Sequence, residues 1–288
     1  MAGEVVALTQ ALITGVLLGG MYALMSSGLS LIFGVMDIAN AAQATFAVLA
    51  AYIAYWMQTL YGIDPFIGMV TSAIALFLIG VALYKYMVSR VRGLMAFALL
   101  YMLAMFLENT MIFTWTNLYR GIRVDYLTKS IGFSGIYVPL DRLVGFLIAI
   151  TGFGILSYFL KYSYLGKAIR ATMQNPTAAS LMGINVRFIY LFSFGLGIAL
   201  SGFAGTILGI VYSFNPTVAD EWIGVMFAIV VFGGLGSLMG TFIASMIIGI
   251  VTSLVGTYAS LIWSPLIAFA ILVITLWVKP SGLMGRKI

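Results

Sequence analysis

Apolar positions in this chain do not alternate with polar ones. They run on in blocks far longer than one face of a surface helix requires. Stretches free of Asp, Glu, Lys and Arg cover residues 5–36, 38–63, 65–84, 143–160, 188–219 and 222–278. Crossing the ~30 Å hydrocarbon core of a bilayer takes about 20 helical residues. The pattern predicts spans near 5–33, 41–61, 66–88, 93–115, 143–160 and 188–213, with more in 222–278. That last block is interrupted at 232–240 (FGGLGSLMG) and again at Ser264 and Pro265. It reads as three short crossings, or as one full crossing with half-helices that turn back inside the protein. Non-helical backbone is tolerated at membrane depth only where protein or a cavity surrounds it. The expected fold class is an all-α integral membrane protein, one transmembrane domain over 1–288 with about eight or nine helices or half-helices.

Composition sharpens this. Hydrophobic residues make up 63% of the 288 positions and charged residues 8%, against about 25% charged in soluble domains. Such a chain cannot clothe a water-facing surface. It has no cysteine and no histidine, which excludes disulfides, thiolate metal sites and imidazole acid–base chemistry. The first twenty residues lack the basic region of a signal peptide and carry too long an apolar run, so they are expected to stay as the first span.

The basic residues orient the bundle, because Lys and Arg near span ends stay on the cytoplasmic side. Three clusters contain no acid: Lys85, Arg90 and Arg92; Lys161, Lys167, Arg170 and Arg187; and Lys279, Arg286 and Lys287. Glu4, Asp64, Asp220 and Glu221 lie in segments without them. One path satisfies both sets, with the N-terminus outside and the C-terminus cytoplasmic. The external loop 116–141 fits least well, since Arg120, Arg123, Lys129 and Arg142 accompany Asp125 there. Glycine numbers 32. Gly15 with Gly19, Gly205 with Gly209 and Gly236 with Gly240 form GxxxG pairs, a spacing that lets helix backbones approach closely.

One segment breaks the apolar pattern: 161–187, KYSYLGKAIRATMQNPTAASLMGINVR. Asn175 followed by Pro176 signals a helix start, and Gly183 a stop. The expected form is a helix near 165–173, a corner, and a short small-faced helix near 176–182. Two readings remain open on these grounds: an interfacial segment with its basic face toward anionic lipid, or a rigid element that docks in a groove of a cytoplasmic partner.

Gly166, Lys167, Ala168, Arg170, Ala171, Gln174, Asn175, Ala178, Ala179, Met182, Gly183, Ile184 and Asn185 together resemble the cytoplasmic loop of the permease subunits of branched-chain (hydrophobic) amino-acid ABC importers, the Liv-type permeases. Further blocks resemble that family in order along the chain: 19–40 (GGMYALMSSGLSLIFGVMDIAN), 107–109 (LEN), 233–240 (GGLGSLMG) and 280–286 (PSGLMGR). The resemblance implies a membrane subunit working beside a second, related permease, two cytoplasmic ATPase subunits and a periplasmic solute-binding protein in the bacterial inner membrane. It also implies that 161–187 is the ATPase-coupling loop, with Gly166, Lys167, Arg170, Gln174, Asn175, Pro176, Ala178, Ala179, Gly183 and Asn185 as its residues. The chain has no GxxxxGK[ST] phosphate loop, so ATP and Mg are expected on the partners and no cofactor on this chain.

Where the family usually shows Asn-Phe-Ala-His-Gly-Glu, this chain keeps Asn40 but carries Gln43, Ala44 and Thr45 at the last three positions. Asn40, Gln43 and Thr45 either hydrogen-bond neighbouring helices or line a translocation path. Glu108, with Asn109 beside it, is the one acid well inside an expected span. It serves either as a structural pair or cap, or in gating and solute contact. Branched-chain amino acids are the expected cargo; other neutral amino acids, urea and small or aromatic carboxylates are alternatives within the class. An ion-coupled secondary transporter would normally show several intramembrane ionisable groups, and a membrane-embedded hydrolase a nucleophile and base; this sequence offers neither.

Overall fold

The computed structural model describes residues 2–133, 135–260, 263–279 and 281–285. Eleven α-helices are present among them: α1 (Ala2–Met36), α2 (Gln43–Tyr61), α3 (Pro65–Tyr86), α4 (Leu94–Trp115), α5 (Leu140–Tyr162), α6 (Tyr164–Gln174), α7 (Pro176–Leu181), α8 (Val186–Val211), α9 (Val218–Gly233), α10 (Leu238–Tyr258) and α11 (Ser264–Val278). Six helical segments in that set are long and apolar enough to cross a membrane, those of α1, α3, α4, α5, α8 and α10. This is a multi-pass helical membrane protein. The final apolar block becomes three helices, of which α10 alone reaches spanning length. Its neighbours, with 16 and 15 residues, extend about 24 Å and 22 Å at 1.5 Å per residue. The first interruption is the turn between α9 and α10; the second ends with Ser264 opening α11. Pro280, Arg286 and Lys287 lie outside the described residues.

Local chemistry explains where helices begin and end. Asp64 caps α3 by accepting the Phe66 amide at 2.8 Å, with Pro65 at the first helical position. Gly62, at φ +64°, closes α2. The same device recurs at α10, where the Ser237 hydroxyl accepts the Gly240 amide at 3.1 Å.

α1 and α8 form the buried centre, and α4 is the least covered of the six long spans. α1 packs along α10 and α8, and α8 in turn along α2 and α3. Two of the GxxxG pairs make these contacts. A Cβ on Gly15 or Gly19 would strike the α10 backbone at Ile250 or Met246, and one on Gly205 would overlap the Ala47 carbonyl of α2. Lipid removes the hydrophobic drive between helices, so close backbone approach and buried hydroxyls hold them together. The Thr241 hydroxyl bonds that of Ser30 at 3.0 Å, and Ser253 donates to the Ala11 carbonyl at 2.7 Å. The third pair, Gly236 with Gly240, belongs to the α9–α10 turn. There the Leu283 and Met284 amides donate to the carbonyls of Phe232 and Gly233 at 2.8 and 3.0 Å. Two sequence blocks that lie some 40 residues apart thus clasp each other at the α9–α10 turn.

The loop 116–139 is not open coil. It contains an antiparallel hairpin, β1 (Ser130–Phe133) and β2 (Ile136–Pro139), in register Ser130 with Pro139. Ile122, Val124 and Leu127 are buried, so the loop lies across the helix ends.

Candidate coupling loop and translocation cavity

Segment 161–187 folds as three capped pieces. Ser163 opens α6 by accepting the Gly166 amide at 2.8 Å. Asn175 opens α7 by accepting the Ala178 amide at 3.0 Å, and Asn185 opens α8 by accepting the Phe188 amide at 3.1 Å. Gly183 sits at φ +83°, with no atom near where a Cβ would be; its backbone conformation, not crowding, demands glycine there. Gly166 and Ala168 face inward, a Cβ on Gly166 meeting the end of α5. Lys167 and Arg170 lie on the open face, with Arg170 Nη2 donating to the Lys161 carbonyl at 3.0 Å. Gln174, Asn175, Pro176 and Ala178 are exposed, whereas Ala179 is buried.

Two residues stand at the tip that were not among the expected coupling residues: Leu181, and Met182 of the family-like pattern, each 83% exposed. Large apolar side chains held exposed by a rigid turn form a contact patch, not a core. The available signal was two bulky residues closing an otherwise small and polar helix. Behind this tip, Arg170, Met173 and Gln174 share a cavity of about 280 Å³ with Gly34, Gly236, Ser237 and Met284. The segment thus rests on the end of α1 and on the α9–α10 clasp.

The other candidates divide. Asn40 and Gln43 are fully buried and fully occupied. Asn40 donates to Gln43 Oε1 at 2.7 Å and accepts the Ala42 amide at 3.1 Å. Gln43 Nε2 donates to the Gly197 carbonyl and to the Ser201 hydroxyl, both at 2.7 Å. Together they tie the start of α2 to the middle of α8. Asn109 is exposed on α4 and bonds the Met105 carbonyl of its own helix. Thr45 and Glu108, by contrast, come together. They line one cavity of about 120 Å³ with Phe97 and Tyr101 of α4 and Asp220, Ile223 and Phe227 of α9.

Toward the other end of α2, an arginine is clasped by aromatic rings. Arg120 lies 5.2 Å from the Tyr55 ring and 5.1 Å from the Trp56 ring. Its guanidinium donates to the Tyr55 hydroxyl at 3.2 Å and to the Trp115 carbonyl at 2.9 Å. Tyr52 stacks on Trp115 with centroids 4.6 Å apart and meets Phe214 edge-on at 5.0 Å. Arg120 and Phe214 also exchange backbone hydrogen bonds at 2.8 and 2.7 Å. Nearby, the Tyr126 hydroxyl donates to Asp64 at 2.6 Å. Burial and this carboxylate push the phenol up to about 12.

A family model described as "Branched-chain amino acid transport system / permease component" matches residues 11–276. The chain belongs to this permease family. Among curated relatives, the high-affinity branched-chain amino acid transport system permease protein LivH of Escherichia coli is 27% identical, over 96% of this chain and 95% of its own. A probable branched-chain amino acid transport permease protein LivH of Methanocaldococcus jannaschii is 28% identical over 94% and 90%. The permease protein LivM of Escherichia coli is 28% identical over 51% of this chain and 36% of its own. Among solved structures, PsaBC from Streptococcus pneumoniae in complex with Fab aligns at 17% identity and TM-score 0.48, over 96% of this chain and 91% of that one. In this Liv-type permease the segments 161–187, 233–240 and 281–285 cluster around one end of the bundle, the α6–α7 segment against the α9–α10 turn.

Proposed function

We propose that this permease is the membrane subunit of an ATP-driven, binding-protein-dependent importer for branched-chain amino acids, placed in the bacterial inner membrane. The carrying observation is the capped, outward-standing segment α6–α7, anchored at its base on α1 and on the α9–α10 clasp. Closure of two partner ATPases, which bind ATP and Mg, would press on Leu181, Met182 and the basic face of Lys167 and Arg170, and the anchored base would pass that motion to the spans. This favours docking on a protein over lying on lipid. The N-terminus is external and the C-terminus cytoplasmic, as the three basic clusters require. A second, related permease packs along α4, the least covered span. An amide on that helix, the exposed Asn109, is costly to leave facing hydrocarbon. The relation of this chain to both LivH and LivM, two permeases of one organism, supports such a pair.

The test is leucine uptake into proteoliposomes holding this chain with its co-purifying subunits, the binding protein being supplied on the opposite face from ATP. Uptake should require ATP and be abolished by Gly183→Pro and by Arg170→Glu without loss of protein from the membrane. Uptake that survives both substitutions refutes the coupling assignment; uptake driven by an ion gradient without ATP refutes the importer.

A further inference from the structure

Resting on the permease reading, we propose that the cavity between α4, α9 and the first turn of α2 is a binding site for one apolar, zwitterionic amino acid in transit. The cavity is lined by two chemically opposite kinds of group. The first is Thr45, 3% exposed and lining the space. Its hydroxyl has no hydrogen-bond partner among the described residues. Thr172, Thr206, Thr241 and Thr257, by contrast, each donate to the carbonyl four residues back. Thr45 cannot hide its hydroxyl that way at the start of α2. Asn40 already accepts the Ala42 and Gln43 amides, and the remaining amides of this first turn lack intrahelical acceptors and carry the positive end of the helix dipole. A carboxylate satisfies both.

The second kind is acidic, since Glu108 of α4 and Asp220 of α9 line the same cavity. Neither has a cationic partner among the described residues, so the pair leaves room for an ammonium group. The walls between are apolar: Phe97, Met105, Ile223 and Phe227. A simple cation would leave Thr45 unpartnered, and a simple anion would be repelled by the acids. A zwitterion with an aliphatic side chain meets all three surfaces. At about 120 Å³ the space is far below the roughly 300–1,000 Å³ of drug-sized sites, which suits one small solute.

Binding of leucine to the purified importer, without its binding protein, is read by saturation-transfer NMR. Two half-analogues serve as competitors: 3-methylbutylamine, which lacks the carboxylate, and 4-methylpentanoate, which lacks the ammonium. Saturable leucine binding is expected, weakened about tenfold or more by Glu108→Gln, by Asp220→Asn and by Thr45→Val. Thr45→Val should leave binding of the amine unchanged. Absent leucine binding, or equal binding in all three variants, overturns the site. Should a variant fail to assemble, wild type decides: competition by the amine supports the acid pair, and its failure to compete overturns it. ATP-driven leucine uptake by the same preparation separates the two levels. Uptake without binding here removes the site and leaves the amino-acid importer reading; no uptake of any amino acid removes the amino-acid importer reading itself.

Discussion

The loop 161–187 and the loop 116–139 are of similar length, and each carries four charged residues, yet they are built to opposite ends. In the first, each helix has its own polar cap and the bulky side chains stand in solvent. In the second, the apolar residues turn inward and Arg120 is held between aromatic rings. One keeps its shape without its neighbours and leaves its surface free; the other gets its shape from the helices it covers. Charge count alone does not separate a handle from a cover. What separates them is whether the charged and bulky groups already have partners.

The sharpest way to break this contrast is to spoil the free surface of the handle. Leu181→Asp combined with Met182→Asp should cut ATP-driven uptake by about 30-fold or more, the size expected of an interface hot spot, while the melting temperature in detergent stays as in wild type. A parallel fall in stability would mean that the two residues are core. The cover should behave in reverse. Arg120→Ala removes two ring contacts and two hydrogen bonds, and is expected to lower stability by about 2 kcal/mol, with uptake per folded molecule retained. Denaturation in mixed micelles checks the first and normalised uptake the second. Smaller again is the loss of one cap: Asn175→Ala should cost about 1 kcal/mol locally, seen as faster amide exchange in α7 with α6 unaffected.

The weakest effect is alkaline. The Tyr126 phenol titrates higher in the folded protein than its ordinary value of about 10. Its bond to Asp64 therefore contributes fully below that value and is lost as pH rises from there to about 12. Tyrosinate absorbance of wild type against Tyr126→Phe should show one phenol ionising late; ionisation together with the exposed tyrosines would remove this fastening from the cover.

Much of the handle was legible because its determinants are local. Asn175 with Pro176, Gly183 and Asn185 act on their own backbone, so spacing alone places the helices near where they form. The six helices long and apolar enough to cross a membrane were legible for the same reason, since length against bilayer thickness is a one-dimensional property. Arg120 was not legible: its partners Tyr55, Trp56 and Trp115 come from other segments, and only the tertiary fold shows that an apparent breach of the charge rule is a paired cation. The polar residues at the start of α2 show both outcomes. Asn40 and Gln43 looked equally suited to packing or to a path, and α8 supplies the Gly197 and Ser201 partners that make them packing. Thr45, two residues on, has no such partner and faces the cavity. The α9–α10 clasp was quoted as two separate blocks; that they touch depends on the chain returning to its own turn.

The central claim is that the segment 161–187 is where the ATPases grip. The most direct measurement is the subunit composition of the assembly isolated from native membranes in gentle detergent, wild type beside the Leu181→Asp, Met182→Asp variant. The account predicts a second permease and two ATPases with wild type, and the permease pair without ATPases in the variant. ATPases retained at the wild-type ratio in the variant would contradict it.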